Sequence, residues 1–149
     1  MKRPLLLYPL LFLHLFLGLN ALGGGALLIL YPDGSGLGMD PSWLDHSPFD
    51  SYLIPGFLLF IFMGLLPLFA ATGLMLRPEW KWPMRLNLYA DRHWSWAFSL
   101  YSGVTVITWI TVQLILTQYF WLQPVMIFTG LLILILTVSP PVMRYGKLS

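Results

Sequence analysis

Long apolar runs separated by short segments that collect the charged residues set the pattern of this chain. A bilayer core of about 30 Å needs about 20 consecutive apolar residues in a helix. Four runs reach that length, over about 4–30, 52–76, 94–116 and 119–142. They are too long for barrel strands and lack the alternation that a lipid-facing strand requires. The fold class they predict is all-α: a polytopic membrane protein, a four-transmembrane-helix bundle forming a single membrane domain over 1–149. Gly18, Ala21 and Gly25 in the first run and Gly64, Ala70, Ala71 and Gly73 in the second predict that these two helices approach closely. Pro55-Gly56 and Pro67 fall inside the second run and predict kinks, because each proline removes a donor and crowds the carbonyl four residues earlier.

The N-terminus has a second reading. Lys2-Arg3 ahead of a leucine-rich stretch fits a secretory signal, with Ala21-Leu22-Gly23 as the cleavage site. The run continues to Leu30, beyond the roughly 7–15 residues of a signal core, so the first segment is expected to remain as a span.

The segment between the first two spans is predicted to be an ordered outer loop. Pro32-Asp33-Gly34-Ser35-Gly36 has turn chemistry, and Asp40-Pro41 reads as a cap followed by proline at a first helical position. Pro41-Ser42-Trp43-Leu44-Asp45-His46 is expected to lie along the membrane surface, with Trp43 and Phe49 forming a lid over the helix ends beside Asp33 and His46.

Charge then supplies an orientation. Lys2, Arg3, Arg77, Lys81, Arg85, Arg92, Arg144 and Lys147 account for all eight basic residues and fall on one side of a four-span chain. The positive-inside rule makes that side the cytoplasm, with both termini on it. Asp33, Asp40, Asp45 and Asp50 occupy the opposite side. Trp80, Trp82, Trp94 and Trp96 are expected at the inner interface, and Tyr31, Trp43, Tyr52, Tyr119 and Trp121 at the outer one.

Composition narrows the chemistry. The 149 residues are 58% apolar, 16% aromatic and only 9% charged, against about 25% charged in soluble domains. A soluble enzyme is excluded, and so is a nucleic-acid partner, since a net charge of +2 makes no phosphate-tracking surface. With no cysteine there is neither a disulfide nor a thiolate metal site.

Few intramembrane groups are left as candidates. His14, reckoned from the start of its run, sits at mid-depth with Tyr101, Thr105 and Thr108 of the third span and Thr129 of the fourth. Asn20, Gln113 and Gln123 form a layer nearer the outside, and Ser102, Thr105, Trp109 and Gln113 share one helix face that should point inward. The ligand-binding candidates are therefore His14, Asn20, Tyr101, Thr105, Trp109 and Gln113. For His14 a proton relay or an axial haem ligand competes with a neutral histidine bonded to a Thr or Tyr of the third span. Haem held by two histidines needs a second at matching depth, whereas His93 lies at the inner boundary and His46 in the outer loop. His46 with Asp45 and Asp50 would make a metal site only if the loop gathered them. No metal and no cofactor is expected, and Arg92 and His93 are expected to meet lipid head groups.

Gly23-Gly24-Gly25, Tyr31-Pro32-Asp33-Gly34-Ser35-Gly36-Leu37-Gly38 and Ser47-Pro48-Phe49-Asp50-Ser51-Tyr52-Leu53-Ile54-Pro55-Gly56, followed by Trp109-Ile110-Thr111-Val112-Gln113 and Leu122-Gln123, carry a resemblance over most of the chain. In these segments the chain resembles a family of small, uncharacterised bacterial four-helix integral membrane proteins. That resemblance implies a multi-pass protein of the bacterial inner membrane and carries no activity with it. The expected function is a non-enzymatic accessory or scaffold protein, with the lipid bilayer and a homo-oligomer or larger membrane complex as partners. The alternative is a bundle that binds a hydrophobic small molecule, a quinone or a lipid. An open cavity beside His14, Trp109 and Gln113 would favour binding, whereas mutual bonding of these groups would favour the scaffold.

Overall fold

The structure is a computed structural model that describes residues 2–148. Those residues form helices and connecting turns, with no strand among them. Helix α1 is Leu7–Leu30, α2 is Leu53–Leu76, α3 is the short Lys81–Met84, and α4 is Trp94–Leu116. Helix α5 is Leu122–Thr137 and α6 is Pro140–Gly146. Helices α1, α2 and α4 are each long and apolar enough to cross a membrane, and α5 with α6 qualifies as a pair bent by 68°.

The fourth apolar run is thus broken and is not one helix over 119–142. Pro140 and Pro141 cause the break: neither donates a backbone hydrogen bond, and the first forces Ser139 into an extended conformation (ψ 142°). The same proline, ill-suited to continuing α5, is well suited to starting α6.

Helix α1 packs against α2 and α5, and α4 packs against α2 and α5, so the four long helices close into a ring. The seam between α1 and α2 is set by glycines. A Cβ on Gly18 would stand 3.0 Å from the Gly64 carbonyl, and one on Gly25 would stand 2.9 Å from that of Gly56. Only a missing side chain lets the two backbones come this close.

Between Gly56 and Gly64 lies the irregular part of α2. Residues Leu59–Leu65 form a π-helical segment, closed by a bond from the Leu66 N–H to the Ile61 carbonyl. The irregularity lies between the two proline positions, within an α2 that runs continuously from Leu53 to Leu76. Two causes converge on it. A wider turn eases the clash between the Pro67 ring and the carbonyl four residues earlier. Matching Gly18 with Gly64 and Gly25 with Gly56 also sets seven residues of α1 against eight of α2, and a π turn accommodates one extra residue.

At the end where the basic residues gather, the chain is clipped shut. His93 N–H donates to the Gly146 carbonyl at 2.8 Å and Leu148 N–H to Asp91 at 2.9 Å, tying the start of α4 to the end of α6. Three arginines turn onto backbone carbonyls: Arg3 onto Met75 at 2.8 Å, Arg77 onto Tyr145, and Arg92 onto Met143. Carbonyls in the last turn of a helix lack partners within it, and cations there complement the helix dipole. Arg77 also lies over the Tyr145 ring and Arg92 over Trp96, while the Tyr145 hydroxyl donates to the Leu74 carbonyl at 2.7 Å.

Arg92 and His93, expected among lipid head groups, are therefore internal fasteners. Trp94 and Trp96, expected at the inner interface, are buried; Trp94 stacks on Trp80 and Phe69, and the Trp96 indole donates to the Thr137 carbonyl at 2.8 Å. Trp80 and Trp82 stay exposed. At the opposite end Tyr31, Tyr119 and Trp121 are exposed, but Tyr52 is buried.

Candidate functional site

Polar groups inside the helical ring fall into two sets. The first centres on His14, which is fully buried. Its Nε2 lies 2.7 Å from Ser99 Oγ, which lies 2.7 Å from Thr137 Oγ1, which donates to the Ile133 carbonyl at 2.6 Å. The last bond uses the only hydroxyl proton of Thr137, so Ser99 donates to Thr137, and His14 Nε2 must donate to Ser99. This orders one run of hydrogen bonds across α1, α4 and α5 and places the imidazole proton on Nε2. Nδ1 is left with a buried lone pair and no partner.

The partner of His14 is thus a serine of the third long helix, and neither Tyr101 nor Thr105 is near it in the bonding network. The layer also sits closer to the basic end than mid-depth, since α1 begins at Leu7 and Thr137 is the last residue of α5. Tyr101 faces the α3–α4 connection, donating to the Leu86 carbonyl at 2.8 Å and accepting from Leu88 N–H at 3.0 Å. Thr105 is half-buried and does not line the cavity at the loop end. Thr129 bonds back to the Val125 carbonyl of its own helix.

The second set surrounds a cavity of about 640 Å³ at the end that carries the 31–52 loop. Its walls come from one face of α1 (Leu17, Asn20, Ala21, Gly24, Leu28) and from Leu59 and Met63 of the π segment. Trp109, Ile110 and Gln113 of α4, and Leu122, Gln123 and Met126 of α5, complete them. π segments recur where a helix wall is reshaped around a functional site. The loop supplies a roof: Leu37, Met39 and Trp43 border the cavity, and the Trp43 ring stacks on Phe120 at 6.2 Å.

The roof is held by its own hydrogen bonds. Asp40 accepts from Ser42 N–H at 2.8 Å at the start of a 3-10 turn, Pro41–Leu44, and Asp33 accepts from Ser35 N–H at 3.0 Å. Those backbone donors hold both carboxyl pKa values below the ordinary carboxylate value. Tyr52 N–H donates to the Pro32 carbonyl at 2.8 Å, and its hydroxyl to Asp40 at 2.7 Å. Phe49 packs against the cluster of Leu28, Leu44 and Tyr52 and does not line the cavity. His46 is exposed and does not line the cavity, and no cluster of three potential metal ligands occurs among the described residues.

Within this cavity the amides are unequal. Gln123 is fully bonded into the α4–α5 turn, accepting from Phe120 N–H at 3.2 Å and donating to the Gln118 carbonyl at 3.4 Å. Asn20 at the rim donates to Phe16 at 2.7 Å. Trp109 Nε1 and Gln113 Oε1, by contrast, are buried and have no hydrogen-bond partner. Leaving such a group unpaired costs about 1–3 kcal/mol, so these two atoms mark a place where a partner belongs. Of the ligand-binding candidates, Asn20, Trp109 and Gln113 converge here, while His14, Tyr101 and Thr105 lie elsewhere. The contributions of Phe120, Leu59 and Met63 carried no sequence signal beyond being apolar.

No protein-family model, characterised protein or solved structure matches this chain.

Proposed function

We propose that this chain is a four-span membrane protein that binds an uncharged apolar molecule, of the quinone or lipid class, in the cavity beneath the 31–52 loop. One observation carries the reading: a largely apolar cavity of about 640 Å³ is lined by Trp109 and Gln113, whose Nε1 and Oε1 atoms are buried without partners. Small-molecule sites have this character, with apolar walls and a few polar groups that fix orientation. The basic segments are assigned to the cytoplasm and the acidic loop to the far side by the positive-inside rule, in the inner membrane of a bacterium by resemblance. The cavity then opens toward the outer leaflet.

The test is native mass spectrometry of the protein released from phosphatidylcholine nanodiscs. A stoichiometric adduct, lost when Ala21→Trp fills the cavity, is the expected result. An adduct indifferent to that substitution, or no adduct with any apolar probe, would refute the reading. Reporter fusions at Lys147 should read as cytoplasmic.

The second reading is the non-enzymatic scaffold or oligomer-forming subunit. The closed chain of hydrogen bonds from His14 through Ser99 to Thr137 favours it, because there the polar groups join helices to one another.

A further inference from the structure

The two unpartnered atoms differ in kind. Trp109 Nε1 is a donor only, and Gln113 Oε1 is an acceptor only. They stand four residues apart on one helix face, so their attachment points are separated by about 6 Å along the axis. The other amide on the cavity's inner wall, Gln123, is satisfied by the chain itself. No Lys, Arg, His, Asp or Glu occurs among the described residues that line the cavity.

We propose that the molecule held here is a neutral lipid whose head carries a hydroxyl: its oxygen accepts from Trp109 Nε1 and its proton goes to Gln113 Oε1, while its hydrocarbon lies along Leu17, Leu59, Met63 and Met126. This rests on the reading of the cavity as a ligand site. It narrows that reading in two ways. A phosphate, carboxylate or ammonium head finds no countercharge, and burying it unpaired is far more costly than burying a hydroxyl. A head that only accepts, such as a quinone carbonyl or an ether, satisfies Trp109 but leaves Gln113 unpaired. The reduced quinol, with hydroxyls, satisfies both. Sites built to bond a hydroxyl reject analogues that lack it more sharply than apolar pockets reject a change of size.

Matched probes separate this proposal from the broader one. The nanodisc-reconstituted protein is offered dodecanol, dodecyl methyl ether, dodecylammonium, and a decyl-chain benzoquinone in its oxidised and reduced forms. Retention is read by native mass spectrometry in pairwise competition. Dodecanol should exceed its ether by about tenfold, the factor that one unpaired buried polar group implies, and quinol should exceed quinone similarly. Dodecylammonium should be retained least. In Gln113→Leu, retention of the alcohol should fall to that of the ether while the ether itself is unchanged; in Trp109→Phe, which removes the donor that both heads use, retention of both should fall. Equal retention of alcohol and ether in the native protein, preference for the oxidised quinone, or strong retention of the ammonium would overturn the neutral-hydroxyl assignment and leave the cavity as an apolar site. Absence of every probe would overturn both.

Discussion

The two ends of this molecule treat polar atoms in opposite ways. At the basic end polar groups are enlisted in closure: three arginines sit on helix carbonyls, the Trp96 and Trp94 indoles donate to Thr137 and Pro78, and the C-terminal residues are stitched to Asp91 and His93. At the loop end a buried donor and a buried acceptor are left unpaired on two residues that line a cavity. Unpaired buried groups are destabilising, and a chain can carry two at one end only if the rest of the structure is well fastened. The contrast sets closure at one end against an open cavity at the other.

Tyr145→Ala should break the contrast most severely. It removes a buried ring, the bond to the Leu74 carbonyl and the surface under Arg77, and should cost about 3–5 kcal/mol in thermal unfolding in nanodiscs. An effect under about 1 kcal/mol would mean that the clip does not hold the fold. Arg77→Met should follow, at about 1–3 kcal/mol, by stranding the Tyr145 carbonyl.

At the loop end the sign should reverse. Trp109→Phe removes an unsatisfied donor while keeping much of the ring, so stability without ligand should stay level or rise by about 1 kcal/mol while retention of the hydroxyl probe is lost. A marked fall in stability there would show Trp109 to be a packing residue.

The smallest effect concerns pH. His93 caps α4, with Nδ1 facing Ser95 at 2.7 Å and Nε2 donating to the Pro78 carbonyl at 3.0 Å. Burial pushes its pKa below the ordinary 6.5, with the Arg77 cation adding to the shift and Pro78 and Glu79 opposing it. Below about pH 6.5 the unfolded chain takes up a proton that the folded site resists, so this stabilising contribution declines as pH falls toward the folded pKa. His93→Asn keeps a capping side chain and should flatten that part of the unfolding profile.

The long helices are legible in the sequence because they are bounded by charge. Helix α4 occupies the same residues as the third apolar run, and α1 and α2 begin within a turn of theirs. The break at Ser139 was written in Pro140-Pro141 but is hidden in a count of apolar residues, which scores proline by its lack of charge and overlooks its missing donor. The partner of His14 was misplaced for a related reason: depth reckoned along straight, full-length spans puts Thr105 opposite it, whereas α1 starts only at Leu7 and α5 ends at Thr137, which sets His14 level with Ser99 near the start of α4. Trp109 and Gln113 share a face by their spacing alone, but the cavity in front of them depends on a loop and a turn folding back. No local pattern encodes that.

The extra residue in α2 bears on which insertions and deletions the chain would accept. A deletion inside a membrane helix ordinarily turns everything beyond it by about 100° and destroys its packing. Here the π segment already absorbs one residue between Gly56 and Gly64, so removing the exposed Ile61 or Phe62 would restore the seven-residue interval that α1 presents. Both glycines would stay on the seam, at some cost where Pro67 meets an ordinary turn. What would vanish is the wide wall offered by Leu59 and Met63, leaving a shortened protein that still assembles but has less room for a guest.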